Sequence, residues 1–149
     1  MKYITKNIQD IKKIAKVFLK KLCVRQDLTQ ATIITLSGDL GAGKTTFVQI
    51  MARILGIKKR VVSPTFVLMK HYPIGKTYVW ENLYHIDAYR LEGKDIKKEL
   101  ELLSFKEILK NPKNIIFIEW PQILKGNLPK KIIKIKIKHK GENKREIML

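Results

Sequence analysis

The run Gly38-Asp39-Leu40-Gly41-Ala42-Gly43-Lys44-Thr45 constrains this chain more than any other feature, because its glycine, lysine and hydroxyl spacing is that of a phosphate-binding loop between a strand and a helix. A phosphate chain cannot be desolvated unless many donors surround it, and such a loop supplies successive backbone N–H groups. Gly38, Gly41 and Gly43 tolerate the angles that wrap the loop and let the main chain approach the β-phosphate. The positive end of the following helix adds to the field. Within this pattern Lys44 is expected to bridge the β- and γ-phosphates and the Thr45 hydroxyl to coordinate magnesium. Asp39, Leu40, Ala42 and Thr46 complete the segment that faces the nucleotide.

The flanks supply the order that the motif demands. Ala31 to Leu36 is short, β-branched and apolar, as in a buried parallel strand. From Thr45 to Leu55 the apolar residues recur at helical spacing, and Gly56 stands where a left-handed cap ends a helix. Upstream, Ile8, Ile11, Ala15, Phe18 and Leu22 mark an amphipathic first helix. Downstream, Val61 to Met69 reads as a loop entering a strand, Pro73 to Gly75 as a turn and Thr77 to Trp80 as the returning strand of a hairpin. Leu83 to Asp87 reads as a further strand, and a charged helix over Lys94 to Leu109 stops before Pro112. Asn114 to Glu119 is a buried strand ending in a carboxylate. Ile133, Ile135 and Ile137 alternate with Lys134, Lys136 and Lys138, which is strand periodicity whose lysines would guard a sheet edge. A last short strand runs from Arg145 to Leu149. The expected fold is a single α/β, P-loop NTPase-like domain over residues 1–149, with a central mixed sheet flanked by helices and antiparallel C-terminal strands.

Composition narrows the classes. The 149 residues are 45% hydrophobic, with no apolar run near the roughly 18 residues of a membrane span and no secretory block behind Met1-Lys2-Tyr3, so a soluble cytoplasmic protein is expected. Cys23 stands alone, which excludes an intrachain disulfide and a cysteine-cluster zinc site. Subtracting 13 acidic from 31 basic side chains leaves +18, a field that draws polyanions such as RNA or an acidic protein. The excess is mostly lysine beside abundant Ile and Asn, as an AT-rich coding genome also produces.

Magnesium needs hard oxygen ligands beyond a hydroxyl. Glu119, at the end of an apolar strand and before Trp120-Pro121, stands where a carboxylate meets a metal beside the loop; an ordinary strand-end carboxylate is the alternative. Asp87 also ends a strand and shares a face with His85. A metal, water-orienting or base role at Asp87 stands beside a structural hydrogen bond, and His85 reads either as a packed histidine or as a direct participant. Ser63-Pro64-Thr65 lies where nucleotide switches place a γ-phosphate-sensing hydroxyl, or is a proline-stiffened turn. Arg90 offers a bidentate contact to phosphate or carboxylate, or pairs with a neighbouring helix.

Taken together, Gly38 to Phe47, Ser63-Pro64-Thr65-Phe66, Tyr84-His85-Ile86-Asp87-Ala88-Tyr89-Arg90-Leu91 and Ile118-Glu119-Trp120-Pro121 resemble the TsaE (YjeE) family, whose likeness covers most of the chain. The resemblance implies an ATP-binding, ATP-hydrolysing, magnesium-dependent component of the bacterial machinery that makes N6-threonylcarbamoyladenosine beside the anticodon of tRNA, working with TsaD and TsaB. It also implies that Lys44 contacts phosphates, that Thr45 and Glu119 serve magnesium, that Asp87 is required for hydrolysis, and that Trp120 lies near the nucleotide. By the same likeness the Thr65 loop is a nucleotide-sensing switch, and the N-terminal segment and C-terminal strands help enclose the adenine. The segment from Lys94 to Lys110 departs from the family in being lysine-rich, and the C-terminus stops soon after the last strand. Three other readings compete. A small-molecule kinase would need an arginine-bearing lid, which this chain lacks. A GTPase would need a guanine-reading element, mimicked only by Asn143-Lys144-Arg145-Glu146. A tRNA-binding module regulated by nucleotide would bind RNA in a salt-sensitive way.

Overall fold

The computed structural model describes residues 1–24, 29–62, 67–124 and 126–149. In chain order these form β1 (Lys2–Thr5), α1 (Ile8–Val24), β2 (Thr32–Ser37), α2 (Lys44–Ile54), β3 (Met69–Pro73), β4 (Asn82–Asp87), α3 (Ile96–Leu102), α4 (Phe105–Lys110), β5 (Asn114–Glu119), β6 (Ile133–His139) and β7 (Arg145–Met148), with 3-10 turns at Ala88–Leu91 and Pro121–Leu124. All strands join one mixed sheet in the order β1-β7-β6-β2-β5-β4-β3. The central neighbours are parallel: β2 pairs with β5 and β6, and β5 with β4. Both flanks are antiparallel, β3 against β4 on one side and β6-β7-β1 on the other.

Strands β2 and β5 are buried on both faces because helices cover both. On one face α1 and α2 bury Phe18, Leu22, Phe47 and Met51 over Ile34, Leu36, Ile115 and Phe117. On the other, α3, α4 and the 3-10 turns bury Leu91, Leu100, Phe105 and Leu124 over Ile33, Ile116 and Ile118. Alternation along each strand therefore sends Ile115, Phe117 and Glu119 of β5, and Leu83, His85 and Asp87 of β4, toward the α2 side. The C-terminal ends of β2, β5 and β4 are in register, Leu36 beside Glu119 and Glu119 beside Asp87. Parallel sheets of this kind present ligands there.

Three sequence expectations require correction, and one strand is additional to those expected. Thr77 to Trp80 is not a strand. Trp80 is fully buried and donates its indole N–H to Thr32 Oγ1 (2.9 Å), and Tyr78 donates to the Ile54 carbonyl (3.1 Å), so this stretch is spent on the core and the hairpin partner of β3 is β4. The helix expected over Lys94 to Leu109 is two, broken where Ser104 takes a left-handed φ of 52°. The lysines of β6 guard no edge, since β6 lies between β2 and β7; they line a sheet face that the helices leave open. Finally, Lys2–Thr5 forms an edge strand that four residues of weak alternation did not announce. Cys23 is half-buried against the α1 core, and burial pushes its thiol up. Among the described residues no helix is long and apolar enough to cross a membrane.

Candidate functional site

The glycine loop leaves β2 and enters α2 through three glycines at positive φ, Gly38 (148°), Gly41 (75°) and Gly43 (103°). Among the described residues nothing lies within 4 Å of where a Gly41 Cβ would stand, and only Arg145 Nε (3.8 Å) near that of Gly43, so the loop is an open main-chain cradle. Gly43 is the N-cap of α2 and offers no side-chain cap, which leaves the helix's first N–H groups to an anion. These features fit a phosphate chain.

Lys44 is 5% exposed. Its Nζ donates to the carbonyls of Gly38 (2.8 Å) and Asp39 (2.9 Å) and stands 4.1 Å from the centre of the Trp120 ring. Burial lowers its pKa, opposed by Glu119, Asp87 and Asp39. Trp120 can lie there because it takes a left-handed φ of 58°, uncommon for a bulky residue and a form of backbone strain that collects at functional sites. Its ring also packs against Tyr89, at 5.3 Å between centroids.

Three polar groups meet behind the loop. Thr45 Oγ1 donates to Glu119 Oε1 at 2.8 Å, and His85 Nε2 lies 2.8 Å from the same oxygen. Asp87, at the end of β4, accepts from the Tyr89 backbone N–H (3.2 Å), capping the 3-10 turn. Its carboxyl is pushed up, first by burial and then by the Glu119 charge. A hydroxyl and a carboxylate in contact are the hard-oxygen pair that magnesium takes beside a phosphate. The donor set thus fits the ion.

Of the residues singled out by sequence, Asp39, Leu40, Gly41, Ala42, Gly43, Lys44, Thr45, Thr46, Trp120, Glu119 and Asp87 are brought to this end of the sheet. Thr65, with Ser63, Pro64 and Phe66, lies outside the described residues. Arg90 is half-buried, and its Nε has no partner among the described residues.

Arg145 was not anticipated. Starting β7, it donates Nε–H to the Ala42 carbonyl (3.0 Å) and braces the loop from the far side. It also lines a cavity of about 390 Å³ against the loop, with Asn7, Ile8, Phe47, Ile137 and Asn143 among its walls. No local signal reveals this, because it is the pairing of β7 with β6 and β1, distant in sequence from the loop, that carries Arg145 there.

The family model described as threonylcarbamoyl adenosine biosynthesis protein TsaE matches residues 5–147. The chain belongs to the TsaE family. That family is one of tRNA threonylcarbamoyladenosine biosynthesis. The tRNA threonylcarbamoyladenosine biosynthesis protein TsaE of Bacillus subtilis is 37% identical over 150 residues, 99% of this chain and 83% of that protein. Its counterpart in Rickettsia prowazekii is 36% identical over 138 residues, 92% of this chain and 85% of the relative. The crystal structure of Bacillus subtilis YdiB superposes with a TM-score of 0.64 at 32% identity, covering 99% of this chain and 82% of that one. The mixed sheet described above is therefore the TsaE fold.

Proposed function

We propose that this TsaE-family chain binds ATP with Mg²⁺ and hydrolyses it to drive or reset the TsaD- and TsaB-containing assembly that makes threonylcarbamoyladenosine in tRNA. The observation that carries the reading is the Thr45 hydroxyl held 2.8 Å from Glu119 at the mouth of an open glycine cradle.

In this reading the loop amides and Lys44 receive the β- and γ-phosphates, and the ammonium exchanges two carbonyls for phosphate oxygens. Thr45 and Glu119 would hold magnesium, which when bound would neutralise phosphate charge. Asp87 orients the attacking water, and Trp120 shields the Lys44 ammonium. The cavity beside Arg145 takes the base. Adenine is favoured over guanine because Glu146, the only carboxylate of the Asn143-to-Glu146 run, does not line that cavity and is held instead by Lys2 at 2.7 Å.

Calorimetry with ATP and GTP tests binding. ATP uptake with magnesium is expected, and Lys44→Ala should weaken it about 10- to 150-fold, the equivalent of the roughly 1.5–3 kcal/mol of hydrogen bonds to a charged group. Reconstitution with TsaD, TsaB and tRNA tests the role: multiple turnover of threonylcarbamoylation that persists without this chain would refute it.

The open sheet face favours a second reading, direct contact with RNA. Lys134 and Lys136 are exposed there beside Lys138, and Glu146, the acid facing them, is held below the usual carboxylate range, chiefly by Lys2. Lysine-rich faces without aromatic anchors suit phosphates better than protein partners. The double substitution Lys134→Ala, Lys136→Ala is then expected to lower the slope of log affinity for tRNA against log salt by about 1.4–1.8. An unchanged slope removes this reading.

A further inference from the structure

His85 is 0% exposed, and of its two ring nitrogens only Nε2 has a partner among the described residues. That partner is Glu119 Oε1, at 2.8 Å, the same oxygen that accepts from Thr45 Oγ1. The β4–β5 register explains the meeting. His85 lies opposite Phe117, and Glu119 stands two residues further along the same face, so the imidazole reaches diagonally to the carboxylate. An ionised carboxylate only accepts, so the contact assigns the shared hydrogen to Nε2.

We infer that His85 is a positioning residue for Glu119: its Nε2–H fixes the rotation of the carboxylate so that the Thr45 hydroxyl and one carboxylate edge face the phosphate site together. Without it the carboxylate is free to turn about its own bond, held by the Thr45 hydroxyl alone. Partners behind a ligand typically set metal affinity by about 10- to 100-fold. This inference rests on the reading of Thr45 and Glu119 as the magnesium pair.

The experiment uses the full-length protein, with Mn²⁺ as a paramagnetic probe titrated in the presence of saturating ATP, and with calorimetry of metal-free ATP binding and thermal midpoints alongside. Asn and Gln separate the two nitrogens, since the Gln amide reaches as far as Nε2 and the Asn amide only as far as Nδ1. His85→Asn is expected to weaken Mn²⁺ binding about 10- to 100-fold with metal-free ATP affinity unchanged, and His85→Gln to restore it to within about threefold. Equal Mn²⁺ affinity in wild type and His85→Asn, or equal losses in both variants, overturns the positioning role. Nitrogen-15 NMR of the wild-type ring needs no variant: a proton on Nε2 with Nδ1 bare supports the role, and a proton on Nδ1 alone refutes it. If the wild type binds ATP but takes up no Mn²⁺ with it, the magnesium reading falls and this inference with it, a result distinct from a metal-binding wild type indifferent to His85.

Discussion

Asp87→Asn is expected to lower single-turnover ATP hydrolysis by about 10²- to 10⁴-fold, the worth of a positioned carboxylate acting on water, while leaving nucleotide affinity within a few-fold. Asn keeps the acceptor that caps the 3-10 turn through the Tyr89 N–H, so the local backbone is preserved. The same substitution should stabilise the nucleotide-free protein at neutral pH. Burial and then Glu119 hold the Asp87 carboxyl above its ordinary value of 3.8, so the folded state holds that proton more tightly than the unfolded chain does. An ionised Asp87 therefore weighs against folding at pH 7; the penalty shrinks as pH falls through the raised value and vanishes below the ordinary one. At this half-exposed position solvent screening limits it to about 1 kcal/mol, or a rise of about 2–4 °C in the thermal midpoint. Wild-type hydrolysis in the variant would remove Asp87 from the chemistry, and a midpoint difference that grew on acidification would contradict the electrostatic account.

Gly38→Ala should cost the most stability of any single substitution in the loop. A Cβ there would stand 2.1 Å from the Ile137 carbonyl oxygen, with φ at 148°. That oxygen belongs to β6, an interior strand, and cannot retreat without disturbing the sheet. Overpacking against backbone and a sparsely populated φ together amount to about 3–5 kcal/mol, which lowers the midpoint of a protein this size by about 10–15 °C. Gly41→Ala is the control. It meets nothing within 4 Å among the described residues, so the left-handed penalty of about 1–2 kcal/mol is the expected cost. Denaturation of both variants checks the contrast, and equal losses would mean that the close approach of the loop to β6 is not what demands glycine at position 38.

The parts legible in the sequence are those written locally. The glycine loop, its strand and its helix are contiguous, and Gly56 caps α2 as its position implied, with φ of 85°. Asn114–Glu119 announces itself because Ile115 to Ile118, buried on both faces, is an unbroken apolar run. What stayed hidden depends on pairings between distant segments. Nothing near Trp80 says that its indole belongs to Thr32, nothing near Ser104 says that the chain will turn there, and Arg145 acquires its role only when β7 lies beside β6. His85 reads in the sequence as packed or as a direct participant; it is packed and fully buried, and the β4–β5 register adds a contact to Glu119 that no local pattern announces.

The edge strand β1 has β7 as its one neighbour in the sheet, so Lys2–Thr5 cannot find its place until Arg145–Met148 has been made. The Arg145 brace on the Ala42 carbonyl arrives with that same closing segment. During synthesis, then, the nascent chain can assemble the β2–α2 unit early yet carry an unbraced loop until β7 has emerged and paired. The braced form of the loop is thus gained late, and loss of Arg145–Met148 would release β1 and the loop brace together.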